Sequence, residues 1–169
     1  MTQKLTTQAS KGKLLKKYNP HKLMLSLPNS IKTIEDAIDD KTTGTLNSVK
    51  RESDKNTIEA ILIGWLIHLN QLLDLKRPMT SLQIEIASSM ILRDYGSLKF
   101  SDLSLLFNQI IKGEHGSFYE SLGIDKIMKI FRTYFDQRCE VGMNRSISSN
   151  IETKQGLAEV STERKSTKY

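Results

Sequence analysis

From Ile58 to Leu73 the large apolar residues Ile58, Ile61, Leu62, Trp65, Leu66, Leu69, Leu72 and Leu73 recur at spacings of three and four, the period that stacks side chains on one face of an α-helix. Ile63 and Ile67 widen this stripe, so the spacing predicts a long helix covered on more than one side, the central helix of its domain. Asn56, with Glu59 three residues on, is read as its N-cap, and Pro78 as its end. Glu59, His68, Asn70, Gln71 and Asp74 interrupt the run, and each is costly in lipid, so it is a core helix rather than a membrane span.

The same period continues downstream. Thr80-Ser81-Leu82-Gln83 has the form of a capping box and opens a helix bearing Ile84, Ala87, Met90 and Ile91, closed at Tyr95-Gly96. Ser101-Asp102 is read as the cap of a third helix with Leu103, Leu106, Phe107, Ile110 and Ile111, and Gly113 as its left-handed C-terminal residue. After the Gly113–Gly116 turn, a last helix carries Ile127, Met128, Phe131, Tyr134 and Phe135 and ends near Gly142. No long run alternates with period two, and no internal repeat is evident. The expected fold class is all-α, a small antiparallel bundle of four or five helices with disordered termini.

Four segments follow from this pattern. Residues 1–22 are read as a basic flexible arm, and 23–55 as a short docked segment at Leu23–Leu27, a short helix capped by Ser30 and a linker. Residues 56–142 are the helical core domain, and 143–169 a disordered tail. The single Cys139 cannot form an intrachain disulfide and sits beside Tyr134, Phe135 and Val141. It is expected as a buried, reduced thiol, consistent with a cytoplasmic protein; lysines near the N-terminus are not followed by an apolar signal-peptide stretch.

The formal net charge of +6 is localised. Lys4, Lys11, Lys13, Lys16, Lys17 and Lys22 supply all of it, because residues 1–22 hold no acid and the rest of the chain is balanced. Such an arm can hold phosphates by counterion release without reading sequence, and it can equally act as a solubilising tail. Lys11, Lys13, Lys16, Lys17 and Lys22 are therefore the candidate nucleic-acid contacts.

The segment from Met79 to Arg138 carries Met79-Thr80 with Gln83, Asp102-Leu103 with Phe107, Lys112-Gly113-x-x-Gly116 with Phe118-Tyr119, and Tyr134 with Arg138. In these residues it resembles uncharacterised small helical proteins of Bacteroides-type bacteria and their phages and plasmids. The resemblance implies a helical fold and a mobile-element origin, and it implies no activity.

Chemistry-bearing patterns are sparse. Gly113-Glu114-His115-Gly116 is a turn able to present a phosphate contact or a general base, or simply to join two helices. His21, His68 and His115 are far apart in sequence and only one cysteine is present, which gives no metal-ligand spacing. No phosphate-loop, dinucleotide or nucleophile-elbow motif occurs, so no catalytic residue and no cofactor is assigned. Helices 80–95 and 101–112 have the order of a helix-turn-helix, but Asp102 stands where phosphates would approach. The expected function is a non-enzymatic interaction module, a phage or plasmid accessory protein. Its basic arm contacts nucleic acid non-specifically, and its core surface at His115, Tyr119, Tyr134 and Arg138 meets a protein partner. The alternatives are a small helical enzyme using His115 beside the glycine-rich turn, and a homo-oligomeric structural protein.

Overall fold

A computed structural model describes residues 2–116 and 120–166, with side chains over 10–116 and 120–148. Among these residues the chain is all-helical. Its helices are α1 (Thr2–Lys17), α2 (Pro20–Ser26), α3 (Ile34–Asp39), α4 (Leu46–Glu52), α5 (Lys55–Leu72), α6 (Ser81–Asp94), α7 (Phe100–Ile111) and α8 (Ile124–Ser166). A 3-10 turn, Leu27–Asn29, follows α2, and extended pairing is limited to the isolated bridges Thr45 with Lys99 and Arg77 with Ser121. The described helices number eight rather than four or five because residues 1–55, expected as an arm, a docked segment, one short helix and a linker, hold four helices, α1 to α4. The chain divides into two units, Met1–Phe135 and Asp136–Tyr169.

Local chemistry explains where the helices begin. Asn19 caps α2 by accepting from the Lys22 N–H at 3.0 Å, with Pro20 at the first helical position, so Asn-Pro here starts a helix instead of an extended segment. Thr33, not Ser30, caps α3: it accepts from the Asp36 N–H while the Asp36 carboxylate accepts from the Thr33 N–H. Thr45 caps α4, placing Leu46 and Val49 in the core and turning the expected linker into structure. Asp54 takes the cap position expected at Asn56, accepting from the Thr57 N–H at 2.8 Å. The capping box of Thr80 and Gln83 forms as the sequence reads.

The core of the first unit is organised by rings. Tyr18 stacks on Phe100 at 4.2 Å, Phe100 leans on Trp65, and Trp65 meets Phe107 edge-on. Phe107 in turn meets Phe131, which neighbours Tyr95. The most enclosed element is α7 rather than α5, since every residue from Phe100 to Phe107 is buried, polar Ser101, Asp102 and Ser104 included. Helices α2 and α3 and the 3-10 turn pack on α7, while α5 packs most extensively on α6. The α5–α6 connection is pinned by Asn70, whose side-chain amide donates to the Met79 carbonyl and accepts from its N–H at 3.1 and 3.0 Å.

Two expectations change, for the second half of the basic segment and for Cys139. Leu14 and Tyr18, one helical turn apart, are buried, and the Trp65 indole N–H donates to the Tyr18 carbonyl at 2.8 Å. The second half of the basic segment is therefore a docked helix, not a flexible arm. At the other end α8 continues helical through Ser166, across residues read as a tail. Its buried residues, among those whose side chains are described, are Ile127, Ile130, Phe131 and Tyr134, and Cys139 is an exposed thiol and not a buried one. No helix among the described residues is long and apolar enough to cross a membrane.

Candidate functional site

Docking of α1 by Leu14 and Tyr18 decides which of its lysines face solvent. Lys13, Lys16 and Lys17 are exposed at the i, i+3, i+4 spacing of one helix surface, and Lys22 is exposed on α2. Lys17 lies 5.0 Å from the Tyr18 ring centroid, a cation–π contact that steadies the stem without neutralising the ammonium. Lys11 differs, because its ammonium pairs with Asp54 at 2.8 Å. That pairing, with the Thr57 N–H and hydroxyl, holds the Asp54 carboxyl down at about 2. Lys11 thus ties α1 to the start of α5, and among the residues whose side chains are described the exposed lysines of this end are Lys13, Lys16, Lys17 and Lys22.

The core-surface residues separate. Tyr134 is fully buried and its hydroxyl donates to Asp102 Oδ1 at 2.9 Å, so it belongs to the core and not to an interaction surface. Arg138 is half-buried in the second unit, where it is already engaged, and Tyr119 lies outside the described residues. His115 is half-buried, with Nε2 3.4 Å from Gln109 Oε1; burial lowers its pKa below the ordinary 6.5 against the opposing pull of Glu114. It lines an open cavity of about 250 Å³ with Lys126, Lys129, Ile130 and Thr133. No carboxylate that could orient the imidazole lines this cavity among the described residues.

The buried polar groups of α7 serve the fold. Asp102 Oδ2 accepts from the Lys99 N–H at 2.7 Å, and the Lys99 ammonium donates to the Ile38 and Asp40 carbonyls at 2.6 and 2.5 Å, satisfying the C-terminal end of α3. The Ser101 hydroxyl donates to the Ala37 carbonyl, and Thr43 Oγ1 accepts from the Ser101 N–H. Asp40 is partly buried, which raises its pKa, yet hydrogen bonds from the Thr43 and Thr42 hydroxyls and N–H groups outweigh that and hold it at about 2. Because Ser101, Asp102 and Ser104 are buried, the N-terminal turn of α7 is withdrawn from solvent and cannot enter a DNA groove, which removes the helix-turn-helix reading.

Sequence reasoning missed one pairing. His21 and His68 lie far apart in the chain, but the packing of α2 on α5 brings their rings to 5.7 Å, edge to face. Burial and the neighbouring His21 lower the His68 pKa. No group of three or more His, Cys, Asp or Glu converges on a metal position among the described residues.

The residues that carry the resemblance over 79–138 fall mainly at structural positions. Thr80 and Gln83 form the capping box, Asp102 bonds Tyr134, Phe107 sits among the core rings, and Gly113 and Gly116 adopt φ of 80° and 94°. Compared with protein-family models, curated proteins and solved structures, the chain matches none.

Proposed function

We propose that this protein is a non-enzymatic binding module that holds nucleic-acid phosphates through the exposed lysines of α1 and α2, as an accessory protein of a mobile element. The observation that carries the reading is the docking of α1: Leu14 and Tyr18 bind its other face to the core and leave Lys13, Lys16 and Lys17 together in solvent, in a segment without a single acid. A cationic surface on a docked helix loses less conformational freedom on binding than a flexible tail does. The origin rests on the resemblance over residues 79–138.

Deleting the first 22 residues is a poor test, because it removes Tyr18 from the core. The triple variant Lys13→Gln, Lys16→Gln, Lys17→Gln leaves the anchors in place. Its affinity for a short DNA duplex should fall, and the slope of log affinity against log salt should become shallower by about 0.9 for each phosphate that the variant no longer neutralises. Unchanged affinity and slope would overturn the reading.

A protein partner on the core is a second reading, favoured by Leu82 and Ile86, which are 66% and 42% exposed one turn apart on α6. Singly exposed apolar residues are ordinary; neighbouring pairs on one helix face suit a partner. Leu82→Glu with Ile86→Glu should abolish co-purification of a bound protein, and retention of that protein would reject this surface.

A further inference from the structure

The turn after α7 and the first part of α8 form a second basic locus, built from different elements than the α1 lysines. Gly113 and Gly116, both at positive φ, close the turn, and the Gly116 N–H donates back to the Gly113 carbonyl at 3.0 Å. This places His115 over α8, where it lines the cavity of about 250 Å³ with Lys126, Lys129, Ile130 and Thr133. No carboxylate is among the described lining residues. Lys126 is held at the rim by donating to the Ser121 carbonyl at 3.0 Å, an ammonium with further protons to give. The 3.4 Å separation of His115 from Gln109 Oε1 is long for a hydrogen bond. Thr133 donates its own hydroxyl proton to the Lys129 carbonyl, so toward the cavity it offers only lone pairs. Ile130, buried, supplies an apolar floor.

We propose that this pocket binds the phosphate group of a small phosphate monoester, with Lys126 and Lys129 neutralising the dianion, His115 completing the donor set and the ester's organic part resting on Ile130. A monoester carries a charge of about −1.5 to −2 at neutral pH, which two ammonium groups match. A single carboxylate leaves one of them uncompensated. Lysine acts here as a point charge. The Thr133 lone pairs can accept from the protonated form of the monoester.

Calorimetric titration of the full chain with phenyl phosphate, inorganic phosphate, phenol and acetate tests this. Phenyl phosphate should bind at one site, and phenol and acetate about tenfold more weakly or worse, since charged hydrogen bonds are individually strong. Lys126→Met with Lys129→Met should weaken phenyl phosphate by about tenfold or more; both residues are exposed, so the helical circular dichroism should be unchanged. His115→Gln keeps a donor and should lose less. The Lys13, Lys16, Lys17 triple variant should bind phenyl phosphate like the parent, which separates this pocket from the proposed nucleic-acid surface. An oligonucleotide with a terminal phosphate monoester, compared with one ending in a hydroxyl, identifies the source. Preference for the first locates the monoester on a nucleic-acid end, and equal binding with retained phenyl phosphate affinity locates it on a small molecule. Indifference between phenyl phosphate and phenol, or full affinity in the Lys126, Lys129 variant, overturns the proposal.

Discussion

Tyr18 concentrates more of the fold than any other single residue of the amino-terminal third. Its ring stacks on Phe100, its carbonyl accepts from Trp65, and its hydroxyl accepts from the Gly44 N–H at 3.3 Å. Tyr18→Ala should cost about 3–5 kcal/mol, the range for removing a buried aromatic ring, whereas Tyr18→Phe loses only the long bond to Gly44 and should cost about 1 kcal/mol; urea unfolding of both variants checks the difference. Ser104 presents the opposite case. Its buried hydroxyl has no hydrogen-bond partner among the described residues, so Ser104→Ala removes a desolvated polar group and should be neutral or stabilising by up to about 1 kcal/mol. A clear loss of stability on that substitution would show that the hydroxyl is satisfied.

At the scale of elements, the short helices depend on their caps and turns. The turn between α7 and α8 uses glycine where φ is positive, at Gly113 and Gly116, and among the described residues no atom beyond the chain neighbours lies within 4 Å of a Cβ added at either position. Space is therefore not the obstacle; backbone conformation is. Gly113→Ala and Gly116→Ala should each cost about 1–2 kcal/mol in thermal unfolding, and Gly116→Ala should also weaken any ligand held by His115. Thr80→Ala, which removes the cap of α6, should cost about 1 kcal/mol. Asn-Pro before α2 and Thr45 before α4 are equally local signals, yet the helices they open have seven residues each, too short for a readable apolar period.

The whole molecule should respond to pH in two windows. The folded-state pKa values of His68 and His115 lie below the ordinary 6.5. Between those values and 6.5 the unfolded chain binds protons that the folded chain refuses, so stability is full above 6.5 and falls as pH drops below it. His68→Asn should make that decline shallower in urea melts taken across the window, and an unchanged slope would show that His68 does not contribute to it. Asp40 and Asp54, both held at about 2 against an ordinary 3.8, give a second loss of stability as pH falls from 3.8 towards 2.

The sequence by itself determined the all-helical class, the approximate extents of α5, α6 and α7, the apolar residues of α8, the Thr80 capping box and the location of the excess charge, because helical periodicity, caps and ionised side chains are local properties. Tertiary structure alone decided that the stretch Phe100–Phe107 of α7, rather than α5, is buried at every residue. It also recruited Leu14, Tyr18, Leu46 and Val49 into the core, buried Tyr134 and exposed Cys139. It brought His21 to His68, and His115 to Lys126 and Lys129. These outcomes depend on which helix faces another across the core, and a hydrophobic stripe specifies that a face is buried without naming what buries it.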